Sequence, residues 1–220
     1  MNDNPGMLAI DTDILSISAN DNAKRHQILD GARKVFRSDG FDGASMNEIA
    51  RVAGVSKGTL YVYFDSKEGL FEELIRADKR LQTEQLLASF DDSKDIRSVL
   101  REFGENLMLH MFDGEALAQV RTIIGISGKL PQVGRAFYEA GPAFGIATLS
   151  GYLDRKVAGG LLAIDDTRFA AIQFVDMCQA GAIKARLFGV EVDMSPPRVR
   201  KLVDRACTIF MKLYKVERGG

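Results

Sequence analysis

The chain has 220 residues, of which 46% are hydrophobic and 27% are charged, and its formal net charge is -1. These values are typical of a soluble globular protein, and no apolar run approaches the roughly 20 residues that a membrane-spanning helix needs. The N-terminus lacks the basic flank and apolar stretch of a secretory signal. With two cysteines and two histidines, we expect a cytoplasmic protein without a metal site, a cofactor or a membrane partner.

The first 23 residues differ in composition from the rest of the chain. They are rich in Asn and Asp and show no sustained hydrophobic period. Their charged residues are Asp3, Asp11, Asp13 and Asp21. Such a segment has little apolar surface to bury, so we predict a mobile acidic arm over residues 1–23. From Lys24 to Lys67 the balance reverses, with eight basic and five acidic residues.

Four helices are predicted after this arm. The first places apolar residues on one face from Lys24 to Ser38 and ends at Gly40. The second begins at Ser45, which forms a capping-box pattern with Glu48. A short third helix begins at Ser56 and ends near Tyr63. Asp65-Ser66 then caps a long fourth helix.

The junction between the second and third helices predicts a helix-turn-helix. Gly54 can adopt the left-handed conformation that turns the chain sharply. Ile49, Ala50, Val55 and Leu60 have the spacing of a small shared core. The first turn of the following helix can present amide groups to a phosphate, and its first residues can reach base edges in a major groove.

These residues resemble the signature of the TetR family of transcriptional regulators. The matching positions are Ile49-Ala50, Ala53 to Ser56, Gly58 to Tyr61, Tyr63-Phe64, Lys67-Glu68 and Leu70. The match covers roughly residues 24–70, and the acidic arm is not part of the family pattern. The resemblance implies a DNA-binding domain over 24–70 and an effector-binding and dimerisation domain over 71–220.

The C-terminal part also reads as helices. Apolar residues recur at helical spacing over about 94–112, 115–127, 131–157, 165–188 and 196–215. Gly141-Pro142 should kink or split the third of these segments, and Ser195 before two prolines is a good helix start. The fold class is therefore all-α, a three-helix DNA-binding module followed by a helical bundle. The stretch Arg135 to Pro142, with Leu149 and Tyr152-Leu153, resembles the AefR-like subgroup of C-terminal domains.

The resemblance assigns DNA contacts to specific residues. Lys57, Thr59 and Tyr61 are the candidates for base edges or the groove floor, although Thr59 can instead only stabilise its helix. Tyr63 and Lys67 are candidates for phosphate contacts, with a solvated surface charge as the alternative for Lys67. Ser45, Ser56 and Gly58 can reach phosphates through hydroxyl or backbone N–H groups. Leu60 and Phe64 are better explained as core residues.

Apolar and aromatic residues of the C-terminal part are candidates for an effector cavity, since such side chains line adaptable pockets. For each of them ordinary core packing is an equal alternative, and an inward His110 is more often a hydrogen-bonded core histidine. The candidates are Phe103, Leu107, His110, Met111, Ile124, Phe137, Phe144, Phe174 and Met177.

The last two helical segments are candidates for a homodimer interface, in which two helices from each subunit form a four-helix bundle. Packing within one subunit is the alternative. The candidate residues are Phe169, Ile172, Val175, Ile183, Leu187, Leu202, Ile209 and Phe210.

The expected function is a dimeric regulator that binds a palindromic DNA operator and is released by a small, largely apolar effector. By the resemblance, repression is the expected output. The alternative is a DNA-binding regulator or architectural protein with no small-molecule effector. An enzyme is not expected, because the sequence has no nucleophile elbow, phosphate loop or metal cluster. Cys178 and Cys207 are expected to be packed thiols, with a redox pair or a reactive sensor thiol as the alternative.

Overall fold

The structure, a computed structural model, describes residues 7–87 and 90–216, with side chains described for 21–79 and 90–216. Over these residues it contains eleven α-helices and one π-helical turn. The only β-pairing among them is an isolated bridge between Leu162 and Lys215. The chain divides into two compact units, Met1–Leu74 and Ile75–Gly220. We call them the N-terminal and the C-terminal unit.

The helices of the N-terminal unit are α1 Met7–Gly43, α2 Met46–Ala53, α3 Lys57–Tyr63 and α4 Lys67–Leu87, of which α4 continues into the C-terminal unit. The predicted start of α1 at Lys24 is wrong, since the helix begins at Met7. Neither Gly nor Pro occurs from Met7 to Asp30, so nothing in that stretch forces a helix end. Residues 1–6 of the predicted arm lie outside the described residues.

The core of the N-terminal unit follows the predicted apolar face of α1. Ile28, Leu29, Ala32, Val35 and Phe36 are all buried. At the C-terminal end of α1 the backbone leaves helical geometry at Gly40, with φ 69°, where the sequence predicts the break.

Three aromatic rings close this core. Phe71 from α4 lies 4.6 Å from the ring of Phe36 and 5.1 Å from that of Phe41. Aromatic pairs at such separations stabilise a core beyond the area they bury. The start of α4 is therefore fixed against the end of α1.

The C-terminal unit contains the rest of α4 and seven further α-helices, among which the π turn is inserted. They are α5 Ile96–Met111, α6 Gly114–Ser127, α7 Pro131–Tyr138, the π turn Glu139–Ala143, α8 Phe144–Ala158, α9 Thr167–Gln179, α10 Ala182–Leu187 and α11 Pro196–Tyr214. Asp95, Asp113 and Asp166 cap α5, α6 and α9 with their carboxylates. Pro196-Pro197 begin α11, as predicted.

Two predicted segments are divided in the structure. The segment 131–157 is interrupted by the π turn, which contains Gly141-Pro142. Proline has no N–H to donate to the preceding turn, so the hydrogen-bond ladder must rearrange there. The segment 165–188, predicted as one helix, breaks between α9 and α10 because Ala180 and Gly181 both have positive φ.

The core of the C-terminal unit lies among α5, α8, α9 and α11. Phe174 packs edge-to-face on Phe210, with ring centroids 5.5 Å apart, and lies 6.5 Å from Phe103. Gly104 lets α5 approach closely, since a Cβ there would lie 2.8 Å from Cγ1 of Val203 on α11. The buried centre of this unit is thus tightly packed.

Candidate nucleic-acid interface

The α2–α3 turn has the geometry that its sequence predicts. Ser45 Oγ accepts a hydrogen bond from the Glu48 N–H at 3.2 Å, while the Glu48 carboxylate is bonded to Arg51. Gly54 lies in the left-handed region with φ 66° and ψ 37°. Because a residue with a Cβ is strained there, glycine is the residue that the turn requires.

The turn is also held from α1. Gln27 Nε2 donates to the Ala53 carbonyl oxygen at 2.7 Å, so α1 satisfies a carbonyl at the C-terminal end of α2. One helical turn further along α1, Gly31 has no side chain, and a Cβ there would lie 2.6 Å from the Ala53 Cα. Helices α1 and α2 are therefore in backbone contact at this point, which fixes where α3 begins.

Helix α3 presents a mixed polar and apolar surface. Ser56 Oγ accepts from the Thr59 N–H at 3.0 Å and lies 2.8 Å from the Thr59 hydroxyl. Lys57 and Gly58 are exposed, and Lys57 Nζ lies 5.9 Å from the ring centroid of Tyr61. Leu60, and Phe64 just after the helix, are buried, as predicted.

Val62 is a member of this surface that the sequence analysis missed. Its side chain is 81% exposed, which is high for an apolar residue in a packed module. Leu60 and Phe64 point inward four residues apart, so position 62 between them must lie on the opposite side of the helix. The exposure of Val62 could therefore have been predicted from the spacing of Leu60 and Phe64 in the sequence. An exposed apolar side chain beside Tyr61 suits contact with a thymine methyl group.

Tyr63 has a partner that was also missed. Its hydroxyl donates a hydrogen bond to the carboxylate of Asp21 on α1, and this bond is the main reason that the pKa of Tyr63 is raised. Asp21 belongs to the acidic segment outside the family pattern. The Tyr63 hydroxyl, which was predicted to contact a phosphate, is therefore already hydrogen-bonded to a carboxylate.

Lys67 makes contacts within the N-terminal unit. Its Nζ donates to the carbonyl oxygens of Phe41 at 2.7 Å and Ala44 at 3.0 Å, and lies 4.5 Å from the Phe41 ring centroid. The ammonium thus ties the α1–α2 junction to the first turn of α4. It is neither a freely solvated charge nor a group pointing away from the protein.

The residues that were predicted to line an effector cavity differ in their burial. Phe103 and Phe174 are fully buried in the core, and Leu107 and Met177 pack against it. Ile124 and Phe144 are exposed, so their side chains are removed from the predicted cavity. His110, Met111 and Phe137 are half-buried. An open groove of about 600 Å³ lies elsewhere, on α11, beside residues such as Arg200 and Arg205.

Two polar side chains of the C-terminal unit stand out by their burial. Among the described residues, His110 Nε2 and the Tyr152 hydroxyl are buried without a hydrogen-bond partner. Burial raises the pKa of Tyr152 to about 12. The Nε2 atom of His110 therefore does not make the hydrogen bond that the core-histidine alternative describes.

The predicted dimer residues also divide by burial. Leu202 and Phe210 lie inside the C-terminal unit and cannot offer surface to a second copy, so they are removed from the predicted interface. Phe169 on α9 and Ile209 on α11 are exposed, at 55% and 47%, and α9 packs against α11. Leu213, 63% exposed and one turn after Ile209, was missed. The remaining four candidates, Ile172, Val175, Ile183 and Leu187, are half-buried.

Cys178 and Cys207 are free, buried thiols, and burial raises the pKa of both. A buried thiol with a raised pKa is a poor nucleophile, which favours the packed-thiol interpretation. In the part of the chain that the structure describes, no three His, Cys, Asp or Glu side chains come together as a metal site. None of the described helices is long and apolar enough to cross a membrane.

Two protein-family descriptions match the chain. Residues 28–74 match "Bacterial regulatory proteins, tetR family", and residues 98–216 match "AefR-like transcriptional repressor, C-terminal domain". The regulator UidR of Escherichia coli is 42% identical over 66 residues, which are 30% of this chain and 32% of UidR. The chain spans about a third of the length of the curated relatives that it matches.

Solved structures resemble the chain over most of its length. A TetR-family regulator from Mesorhizobium loti has a TM-score of 0.81 and 27% identity, covering 89% of this chain and 98% of that one. The flavonoid-responsive regulator FrrA has a TM-score of 0.76 and 32% identity, and the match covers 90% of this chain and 100% of FrrA. These relatives are transcriptional regulators and not enzymes.

Proposed function

Because the chain belongs to the TetR family of bacterial transcriptional regulators, which bind DNA, we propose that it represses transcription as a homodimer bound to a palindromic operator. A small, largely apolar effector releases it from that operator. The observation that carries the DNA-binding part is the α2–α3 junction, where Gly54 sets the turn and α3 exposes Lys57, Tyr61 and Val62. An exposed lysine, an aromatic ring and an apolar tip suit a major groove.

Exposed apolar residues on two adjacent helices support the dimer. Phe169 on α9, with Ile209 and Leu213 on α11, would otherwise leave large hydrophobic side chains in water. Two-fold pairing of α9 and α11 with their copies buries these side chains in a four-helix bundle. Such a dimer places its two α3 helices in successive major grooves, roughly 34 Å apart.

Helix α4 supports the coupling between effector and DNA. It begins at Lys67, whose ammonium is bonded at the α1–α2 junction, and it continues to Leu87 within the C-terminal unit. An effector that displaces the C-terminal part of α4 acts through one continuous helix on the module that carries α3. Coupling of about 1–3 kcal/mol, or roughly 5–150-fold in DNA affinity, is typical of such systems.

The similarity to FrrA supports a particular kind of effector. FrrA is described as flavonoid-responsive and resembles this chain over nearly its full length. We therefore take a planar, mostly apolar phenolic compound as the effector to test first. If no small molecule lowers operator affinity, the chain is instead a DNA-binding regulator without an effector.

The proposal is tested by footprinting the protein on DNA from upstream of its own gene, then measuring affinity for the protected fragment with and without apigenin, a flavonoid. We expect a protected site with two-fold symmetry and weaker binding when apigenin is present. Lys57→Ala should weaken binding to this site by about 1–3 kcal/mol, since it removes a side chain that can bond base edges. Unchanged affinity of Lys57→Ala would remove Lys57 from the interface.

Lys67→Met is the matched comparison on a second lysine of the same module. If Lys67 positions the α1–α2 junction, the variant unfolds at a lower temperature while the salt dependence of its DNA binding stays close to wild type. If Lys67 instead neutralises a phosphate, the slope of log affinity against log salt decreases by about one for each subunit. The two roles are therefore separated by one salt series and one thermal unfolding curve.

A further inference from the structure

The outward face of α3 has two edges of different chemistry. It is formed by four exposed residues, Lys57, Gly58, Tyr61 and Val62. Residues four apart in an α-helix lie one above the other, so Lys57 and Tyr61 share one edge, where the lysine Nζ lies 5.9 Å from the ring centroid. Gly58 and Val62 share the other edge, which we call the apolar edge. The first edge is cationic and aromatic, whereas the apolar edge carries a single valine side chain.

The side chain of Val62 has open space beside it. One helical turn earlier stands Gly58, and a Cβ there would meet only Ser56 Oγ, at 3.8 Å, among the described residues. That distance is an ordinary van der Waals contact, so packing within the chain does not require glycine at this position. Glycine is also a less favourable helix residue than alanine. A strip of backbone without a side chain therefore leads to Val62, whose side chain is 81% exposed.

Two hydroxyl groups of α3 that could read a base are bonded within the N-terminal unit. The Thr59 hydroxyl lies 2.8 Å from Ser56 Oγ, which also accepts a hydrogen bond from the Thr59 N–H. The Tyr63 hydroxyl donates to the carboxylate of Asp21. The side chains next to the apolar edge are therefore engaged with the protein itself, and the contact that this edge offers to a base is apolar.

We propose that Val62 is a specificity-determining residue that reads the C5 methyl group of one thymine in each half of the operator. The inference rests on the proposed DNA-binding function and names the base that the apolar edge selects. In the major groove thymine is the one standard base that carries a methyl group, and apolar side chains recognise it by contact. Contact with Val62 removes apolar surface of both groups from water. Uracil and cytosine have a hydrogen at this position and cannot make the same contact.

The test removes single methyl groups from the operator. The site found by footprinting, or the strongest binder selected from a pool of random duplexes, is synthesised with uracil in place of each thymine in turn. Uracil keeps the base pairing and the O4 acceptor of thymine and lacks only the methyl group. In fluorescence anisotropy we expect one position at which uracil weakens binding by about fourfold for each half-site, the effect of burying one methyl-sized group. If uracil at every position binds like thymine, the proposal is overturned.

A second base change separates the methyl group from the hydrogen-bonding pattern of the base pair. At the sensitive position, 5-methylcytosine paired with guanine restores the methyl group but presents the N4 donor of cytosine in place of the O4 acceptor of thymine. The site with 5-methylcytosine should bind more tightly than the same site with cytosine, again by about fourfold for each half-site. Equal affinity for the two sites would show that O4 is read and not the methyl group, which refutes the proposal.

Protein variants assign the preference to one side chain. Val62→Ala should bind the thymine operator severalfold more weakly and should lose most of the discrimination between thymine and uracil at the sensitive position. Val190→Ala, which shortens a valine that is 55% exposed in the C-terminal unit, is the matched control and should discriminate like wild type. Circular dichroism checks that Val62→Ala is folded. A folded Val62→Ala protein with wild-type discrimination would give the methyl contact to another residue and contradict the assignment.

Failure of this inference is distinguishable from failure of the proposed function. If the protein binds a site with two-fold symmetry and no uracil substitution changes its affinity, the proposed operator binding stands and the methyl readout falls. If uracil sensitivity depends on Val62 yet no small molecule releases the DNA, the methyl readout stands and effector-controlled release falls. A protein that binds no duplex with sequence preference overturns both.

Discussion

Gly31 shows how one missing methyl group sets the geometry of the DNA-binding module. Gly31 lies on the side of α1 that faces the end of α2. A Cβ added there would lie 2.5 Å from the Ala53 Cβ and 2.7 Å from the Ala53 nitrogen. The obstacle includes backbone, which cannot rotate away as a long side chain can. Any larger residue at this position must therefore push α2 away from α1.

We expect Gly31→Ala to destabilise the N-terminal unit by about 1–3 kcal/mol, as overpacked cores do, even though alanine normally favours a helix over glycine by about 1 kcal/mol. The matched control is Gly125→Ala on α6, where an added Cβ meets nothing within 4 Å and should stabilise slightly. Chemical denaturation of both variants measures the difference. Equal or higher stability of Gly31→Ala would show that α1 and α2 can separate without cost.

At the scale of the element, the N-terminal extension of α1 acts on α3. The family match begins at residue 28, whereas α1 begins at Met7 and brings the Asp21 carboxylate to the Tyr63 hydroxyl. If this surface contacts phosphates, as we propose, the carboxylate weakens DNA binding in two ways. It repels the phosphates, and it keeps the tyrosine hydroxyl engaged.

Asp21→Asn should therefore raise DNA affinity severalfold, equivalent to about 1 kcal/mol, with the larger gain at low salt because exposed charges are screened at high salt. Fluorescence anisotropy with the footprinted fragment at several salt concentrations measures this. Glu191→Gln, an equal change of net charge in an exposed loop of the C-terminal unit, should have no such effect. If both variants gain equally, the gain comes from net charge and not from the contact with Tyr63.

At the scale of the whole molecule, the proposed dimer requires a surface that a second copy of the chain can cover. Phe169, Ile209 and Leu213 lie exposed on α9 and α11, two helices that pack against each other. Phe210, between the last two in sequence, points inward onto Phe174. The outer face of α11 is therefore apolar only near its C-terminal end, at Ile209 and Leu213, whereas Arg200, Lys201 and Arg205 are exposed in its first half. The apolar surface that a partner could cover lies at this C-terminal end.

Ile209→Glu combined with Leu213→Glu should convert the protein to a monomer at micromolar concentration, as measured by sedimentation, because two charges on each chain would then be buried. Operator affinity should fall with it, since one α3 helix alone loses the second half-site. Ile124→Glu, at an exposed apolar position on α6, is the control and should remain dimeric. A monomeric wild-type protein, or a dimeric double variant, would contradict the proposed interface.

Much of the DNA-binding module could be predicted from local sequence. Ser45 and Ser56 cap helices, Gly54 turns the chain, and Leu60 and Phe64 are buried, because each role depends on neighbours within a few residues. Less of the C-terminal unit could be predicted in this way. Its helical periods were visible, but period alone does not tell an apolar face turned to the core from one turned to solvent.

The sequence by itself determined an all-α chain with a helix-turn-helix and a helical C-terminal unit, since capping, turns and hydrophobic period are local properties. Only the tertiary structure decided that Lys67 bonds carbonyl oxygens, that Tyr63 meets Asp21, and that Phe210 is core. These contacts join residues from different helices. Their partners depend on how the helices pack, which no local pattern in the sequence encodes.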